Sequence, residues 1–399
     1  MAELYSLPDG WEWKKLGDLA KFQSGGTPSR SNKTYWDNGN IPWVKISDIT
    51  DEMYVTNTEE FITKAGLDNS SAKLFPKNTI LYTIFATIGK IGILDIEATT
   101  NQAISGIQPK NNVDLFYMYY GLKFITNEVQ KVSTGVAQNN INLTKLKEQW
   151  FPLPPLEEQK RIVVNLDNLF AKIDKVIALH QKNIDEADIF MASVLNYVFV
   201  ELEEKYGLIK INDVVVKTKN KNPLNEKDTP FTYIDISSID NKLFKIVEPK
   251  QLIGSEAPSR AKKEVFQGDI IYSTTRPNLK NIAIVSENYN NSIASTGFCV
   301  LRTNEKTINY YLFYFLITEK LFEQIEPNIR GAQYPATSDN DLKNCNIPNT
   351  PYETQQKVVS YLDEISNKME KIKNLQKKKM QSLKELKASI LDKAFKGEL

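Results

Sequence analysis

Steps of four and three join Ile162, Leu166, Leu169, Ile173 and Val176 into a narrow apolar stripe within a polar run that begins near Pro155. The same rhythm returns at Val358, Leu362, Ile365, Met369 and Ile372. A seam of this width predicts helices that pair with each other rather than helices lying on a core. The two runs are copies. Pro155 aligns with Pro351 without a gap, Gln159 with Gln355, Asp167 with Asp363 and Phe199 with Phe395, at an offset of 196 residues. That offset is a whole number of heptads, so both copies keep one phase. Each run of about 45 residues predicts a helix about 68 Å long. Thr350-Pro351-Tyr352-Glu353 reads as a capping box with proline at the first helical position, and Pro154-Pro155-Leu156-Glu157 keeps the proline and the glutamate. Both stripes break at equivalent places, at His180 and Asn183 and at Gln376 and Lys379. Either these four form a polar layer that fixes register, or they face water while Leu179, Ile184, Leu375 and Met380 take over.

The segments between the helices also look duplicated. Trp43 to Ile49 is echoed by Tyr233 to Ile239, Lys77 to Tyr82 by Gly268 to Ser273, and Gly89 to Ile93 by Lys280 to Ile284. Each pair alternates as a half-buried strand beside a polar turn. Tyr117 to Leu122 and Tyr310 to Leu316 read as aromatic-rich buried helices. The expected organisation is a first domain over 1–154, a long helix over 155–205, a second domain over 206–350 and a second long helix over 351–399. The predicted class is α+β, two pseudo-repeated α/β domains joined by two long helices that form an antiparallel coiled coil. Because domain termini tend to lie close together, the C-terminus is expected beside the first domain.

Composition narrows the class. Apolar residues make up 41% and charged residues 25%, which suits sizeable cores and argues against global disorder. No long uninterrupted apolar run exists and Met1 to Tyr5 lacks the regions of a signal peptide, so the expected location is the cytoplasm, without a membrane. Cys299 and Cys345 are expected to be buried free thiols. Net charge is only +1. It is unevenly spread: 155–205 carries 6 basic and 10 acidic side chains, whereas 351–399 carries 11 and 7. Opposite signs favour pairing of the two helices with each other.

Catalytic constellations are missing from the sequence. His180 is the one histidine, and two distant cysteines give no metal-ligand spacing and no nucleophile–base set. Ile88-Gly89-Lys90-Ile91 lacks the upstream glycine and following hydroxyl of a phosphate loop, and Ser24-Gly25-Gly26-Thr27-Pro28 reads as a turn. Glu385-Leu386-Lys387 resembles a nuclease triplet but falls in the helical repeat, where such spacing is routine. The loops instead gather cations, amides and aromatics. Candidate DNA-contacting residues in the first domain are Thr27, Ser29, Arg30, Lys33, Tyr35, Trp36, Lys45, Thr87, Lys90, Gln138, Asn139 and Asn140. In the second they are Lys219, Lys221, Arg276, Asn278, Lys280, Arg330, Gln333 and Tyr334. Arginine and lysine suit guanine edges and phosphates, and amides suit adenine. The competing class is a non-catalytic protein–protein adaptor with duplicated binding domains; a nuclease in its own right would need clustered carboxylates.

The whole chain resembles a specificity subunit of a type I restriction-modification system. The resemblance lies in Leu7-Pro8-Asp9-Gly10-Trp11, Ser24-Gly25-Gly26-Thr27-Pro28 ahead of Tyr35-Trp36, Ile41 to Asp48, and above all Pro152-Leu153-Pro154-Pro155-Leu156-Glu157-Glu158-Gln159. The ending Ala394-Phe395-Lys396-Gly397-Glu398-Leu399 also fits, whereas the second domain lacks the Gly-Gly-Thr-Pro loop. The resemblance implies two target-recognition domains that each read half of a split duplex sequence, with the helices setting the spacing. It implies as partners two methyltransferase subunits and motor-nuclease restriction subunits. Cofactors are then expected in those partners alone: S-adenosylmethionine for adenine methylation, ATP and Mg for the motor. It implies no cofactor, metal or catalytic residue in this chain.

Overall fold

The computed structural model describes residues 5–84, 89–132, 143–331, 333 and 335–399, with backbone alone for 128–132. Thr87, Gln138, Asn139, Asn140 and Tyr334 lie outside the described residues. The chain forms two compact units, one of 1–180 with 378–399 and one of 181–377. Both long helices, Leu156–Tyr206 and Tyr352–Lys396, contribute a half to each unit.

In the first unit a sheet runs in the order Ala20–Ser24, Ile104–Pro109, Ile80–Thr83, Ile91–Leu94, Tyr54–Val55. A second sheet places Ile41–Val44 between antiparallel Glu60–Ile62 and parallel Thr99–Thr100. The second unit repeats the plan. Val215–Val216, Phe298–Thr303, Ile270–Ser273 and Ile282–Ile284 form one sheet, and Lys250–Ile253, Pro230–Ile234, Ser292–Ser295 and Ala261–Val265 the other. Each domain is closed at its base by a short antiparallel pair leading into a long helix: Glu12–Lys15 with Trp150–Leu153, and Leu208–Lys210 with Asn346–Pro348. The aromatic-rich helices are Leu115–Val132 and Asn309–Leu316, as the sequence predicts, and the class is α+β.

The duplication extends to single hydrogen bonds. Buried Gln159 accepts at Oε1 from the Asp114 amide (2.8 Å) and donates through Nε2 to the carbonyls of Asn112 (3.1 Å) and Pro154 (2.9 Å). Buried Gln355 does the same with the Ile308 amide and the carbonyls of Lys306 and Thr350. An amide is suited to this task because it both donates and accepts, so one side chain satisfies a backbone N–H and two carbonyls in the turns that lead into two helices. Likewise Tyr120 and Tyr314 donate to Asp167 and Asp363, both at 2.5 Å. Burial first, and then the adjacent carboxylate, holds both phenols well above their usual range.

The helices run antiparallel within each unit. In the first, Arg161 Nη2 donates to the Leu399 carbonyl (2.8 Å) and Lys387 pairs with Asp174 (2.7 Å). In the second, Lys373 pairs with Asp188 (2.6 Å) and the Tyr206 hydroxyl lies 3.5 Å from Thr354 Oγ1. These pairs join the acidic helix to the basic one. Ile162, Leu166 and Ile173 are buried and Leu169 is half-buried, whereas Val176 is 39% exposed. Leu362 is buried, Val358, Ile365 and Met369 are half-buried, and Ile372 is 40% exposed. The stripe therefore opens as it nears its polar break. There Asn183 and Lys379 are exposed, while His180 and Gln376 are half-buried. Of the four apolar residues that could take over, Ile184 is buried and Met380 half-buried, but Leu179 and Leu375 remain exposed.

The helix starts differ from the expected caps. Each helix begins one residue after its proline, at Leu156 and Tyr352, with the Pro155 and Pro351 carbonyls accepting the first bonds. The Thr350 hydroxyl turns away from a capping role to the Tyr311 phenol (2.7 Å), since burial puts that phenol in need of a partner. Cys299 and Cys345 are buried and free, and burial raises their thiols to about 12 and about 11. Among the described residues no helix is long and apolar enough to cross a membrane.

Candidate nucleic-acid interface

The loop after Ala20–Ser24 is held against the second sheet at very short range. A Cβ on Gly25 would stand 2.0 Å from Thr100 Oγ1, and one on Gly26 would stand 2.4 Å from the Ser71 backbone, so only glycines permit this path. The buried Trp43 indole donates to the Gly26 carbonyl (3.0 Å), and the Trp36 indole to Ser29 (3.1 Å). Thr27 donates to Gln102, and the Ser29 and Ser31 hydroxyls lie 2.9 Å apart. Tyr35 and Trp36 are half-buried. The Arg30 guanidinium sits 3.6 Å from the Trp36 ring centroid and pairs with Glu60 at 2.5 Å. Lys45 pairs with Glu59 and Glu60, each at 3.0 Å. Burial acts to raise the Glu60 carboxyl, but hydrogen bonds from Arg30 and Lys45 outweigh it and the group is lowered. The Arg30 and Lys45 charges are thus engaged internally, while Lys33 is exposed. Lys90 turns inward to the carbonyls of Ile49 (3.0 Å) and Ile46 (3.4 Å).

In the second domain two candidate loops far apart in sequence are joined. The Arg276 amide donates to the Pro335 carbonyl (2.7 Å), and Thr337 N to the Thr274 carbonyl (2.8 Å). Arg330 and Ala336 exchange both backbone bonds at 2.9 Å. This brings Arg276, Asn278, Arg330 and Gln333 onto one pair of loops, all exposed. Arg276 adopts a left-handed backbone (φ 49°), a conformation uncommon outside glycine, and it starts the short turn Pro277–Leu279. Lys280 is committed elsewhere, to Glu319 (2.6 Å) and the Ile317 carbonyl (3.0 Å). Lys219 is exposed, and Lys221 pairs with Glu226 at 3.2 Å. Lys217 and Arg260, both exposed, and Lys262 on the strand Ala261–Val265 were not among the sequence candidates. The alternation in Lys217-Thr218-Lys219-Asn220-Lys221 was the available signal, an extended stretch that places its lysines on alternate positions and bridges the sheet at Asn220.

Among the described residues no group of His, Cys, Asp and Glu could hold a metal ion. What the described loop residues offer is hydrogen bonding and positive charge.

Comparison with known proteins gives one family. Residues 8–186 and again 203–380 match the type I restriction modification DNA specificity domain. The type I restriction enzyme MjaIX specificity subunit of Methanocaldococcus jannaschii is 26% identical, over 100% of this chain and 95% of that protein. The EcoR124I/EcoR124II specificity subunit of Escherichia coli is 33% identical over 41% of this chain and 42% of its own. A chain solved in work on complex assembly and conformational transition of the type I R-M system superposes with a TM-score of 0.71 at 22% identity. It covers 99% of this chain and 100% of its own, and shows the same fold.

Proposed function

This chain belongs to the type I restriction modification DNA specificity family, a non-catalytic specificity subunit for DNA target recognition, and we propose from there that its target is bipartite. Each of the two domains reads one half-site. The observation that carries this reading is the duplication: the family match occurs twice, and the two domains share an order of four strands in one sheet and three in the other, with one set of glutamine and tyrosine bonds.

The chain also holds two methyltransferase subunits and the motor-nuclease subunits. Those partners bind S-adenosylmethionine, ATP and Mg, and the chemistry is theirs. Exposed Ile189, Phe190 and Tyr197 on the first long helix and Tyr361 on the second support a helix-bearing partner, since apolar side chains of this size left in water favour association.

The test is domain exchange. Residues 206–350 are replaced by the matching domain of a relative, and methylated adenines are mapped genome-wide in cells carrying either version or neither. The expected result is a split motif that depends on the gene, with one half replaced and the other retained. An assembled chimera that loses or changes both halves would refute independent reading.

A further inference from the structure

The last strand of the second domain's outer sheet, Ala261–Val265, does not end that sheet as a bare edge. Lys219-Asn220-Lys221 lies antiparallel against it: the Lys221 amide donates to the Lys262 carbonyl (2.9 Å), the Glu264 amide to Lys219 (3.4 Å), and Asn220 bridges Lys263. Side chains alternate across a strand and the Asn220–Lys263 bridge sets the register, so Lys219, Lys221 and Lys262 share one face, with Glu264 on it opposite Lys219. Lys263 leaves by the other face to pair with Asp339 (2.7 Å). Lys221 stands opposite Lys262, and like charges so placed destabilise a strand pair. The relief within the chain is partial. Lys221 has Glu226, but Lys262 donates to the neutral Asn222 amide oxygen (2.6 Å). Lys217, Lys219 and Arg260 are exposed and enter no ion pair among the described residues. The carboxylates close by in sequence are Asp213, Glu226, Asp228, Glu256 and Glu264; Glu226 is taken by Lys221, Glu256 accepts from the Ile253 amide, and Glu264 also acts on Arg302. The first domain treats its cations in the opposite way, neutralising Arg30 and Lys45 with Glu59 and Glu60.

We infer that this lysine-rich edge, with Lys217, Lys219, Lys221, Arg260 and Lys262, is a phosphate rail that grips one strand of duplex DNA. The inference rests on the DNA-reading function proposed above. Lysines two residues apart on extended chain are spaced by about 6.6–6.8 Å. Each strand of the duplex carries one phosphate per about 3.4 Å of helix axis, and its backbone winds round that axis, so neighbouring phosphates are farther apart in space than this rise and lysines so spaced can meet phosphates of a single strand. Ammonium groups on flexible stems suit phosphates, which carry charge without sequence information, while base reading falls to the joined loops of Arg276 and Arg330.

The experiment uses the full chain and a labelled mixed-sequence duplex, with affinity measured from about 50 to 200 mM salt. The double variant Lys217→Ala/Lys219→Ala is expected to flatten the slope of log affinity against log salt by about two units, roughly 0.9 per phosphate contact. The loss should be equal on unrelated sequences, the thermal midpoint unchanged, and the slope restored by Lys217→Arg/Lys219→Arg. An unchanged slope, with the parent chain binding normally, would overturn the rail and leave the DNA-reading function standing. A loss confined to one base position would make these lysines base readers and overturn the phosphate role. A parent chain without salt-dependent duplex binding would overturn both.

Discussion

Lys123 projects from the helix Leu115–Val132 with its ammonium 4.5 Å from the Tyr119 ring centroid. Burial, aided by the nearby Lys387 charge, pushes its pKa down to about 8, against partial support from Asp174 and Asp51. The folded protein therefore disfavours the protonated form relative to the unfolded chain. The resulting penalty is complete below about pH 8 and fades as the pH rises toward the unfolded value of 10.5. Lys123→Met should stabilise the first unit by about 1–3 kcal/mol at pH 7 and by much less near the unfolded pKa, read by urea denaturation across that range. Destabilisation at pH 7 would mean that the ring and carboxylate contacts outweigh burial. At this scale the sequence did not show how its candidate cations are paired within the chain. Composition marked Arg30, Lys45, Lys90 and Lys280 as candidate cations, yet each meets its partner through contacts 14 or more residues away, which only the folded chain reveals. Lys33 faces solvent, and nothing local to its sequence distinguishes it from the others.

The long helices were the most legible elements, because a seam repeated at 196 residues fixes helical period, length and phase together. Their acidic and basic totals even anticipated the pairs Asp174–Lys387 and Asp188–Lys373. Their starts were less legible: the capping pattern at Thr350 is correct by residue type, but the Tyr311 phenol competes for the same hydroxyl. Under the proposed function, helix length sets the gap between half-sites. Removing one heptad from each helix, about 10.5 Å of rise, should shorten that gap by about three base pairs and leave both half-sites intact. Methylation mapping reads this directly. Altered half-sites, or an assembled complex that no longer methylates, would show that the helices are not the ruler.

On the scale of the molecule, two similar domains are completed by counterpart residues from the ends of the two long helices. Phe199, near the end of the first long helix, packs with Tyr311 and Phe315 in the second unit (5.4 and 5.3 Å). Phe395, its counterpart, stacks on Phe124 (5.3 Å) and meets Tyr117 (4.9 Å) in the first. Phe395→Ala should cost the first unit about 3–5 kcal/mol, with hydrogen exchange accelerated around Tyr117 and Phe151 but not across 181–377. Uniform acceleration in both units would mean that the plug is not local. That the C-terminal residues join the first domain was legible from the duplicated layout. Which aromatic they would plug was not, since Tyr117, Phe124 and Phe151 converge only once the sheet and its covering helix are built.

The position of Phe395 also bears on how the chain emerges from a ribosome. All 181–377 of the second unit are translated before the last segment, 378–399, that the first unit still lacks. Synthesis begins with the first domain, yet the second is the first to have all its residues. During that interval the nascent first domain carries Tyr117, Phe124 and Phe151 without their final neighbour, an uncovered aromatic surface of the kind that chaperones bind.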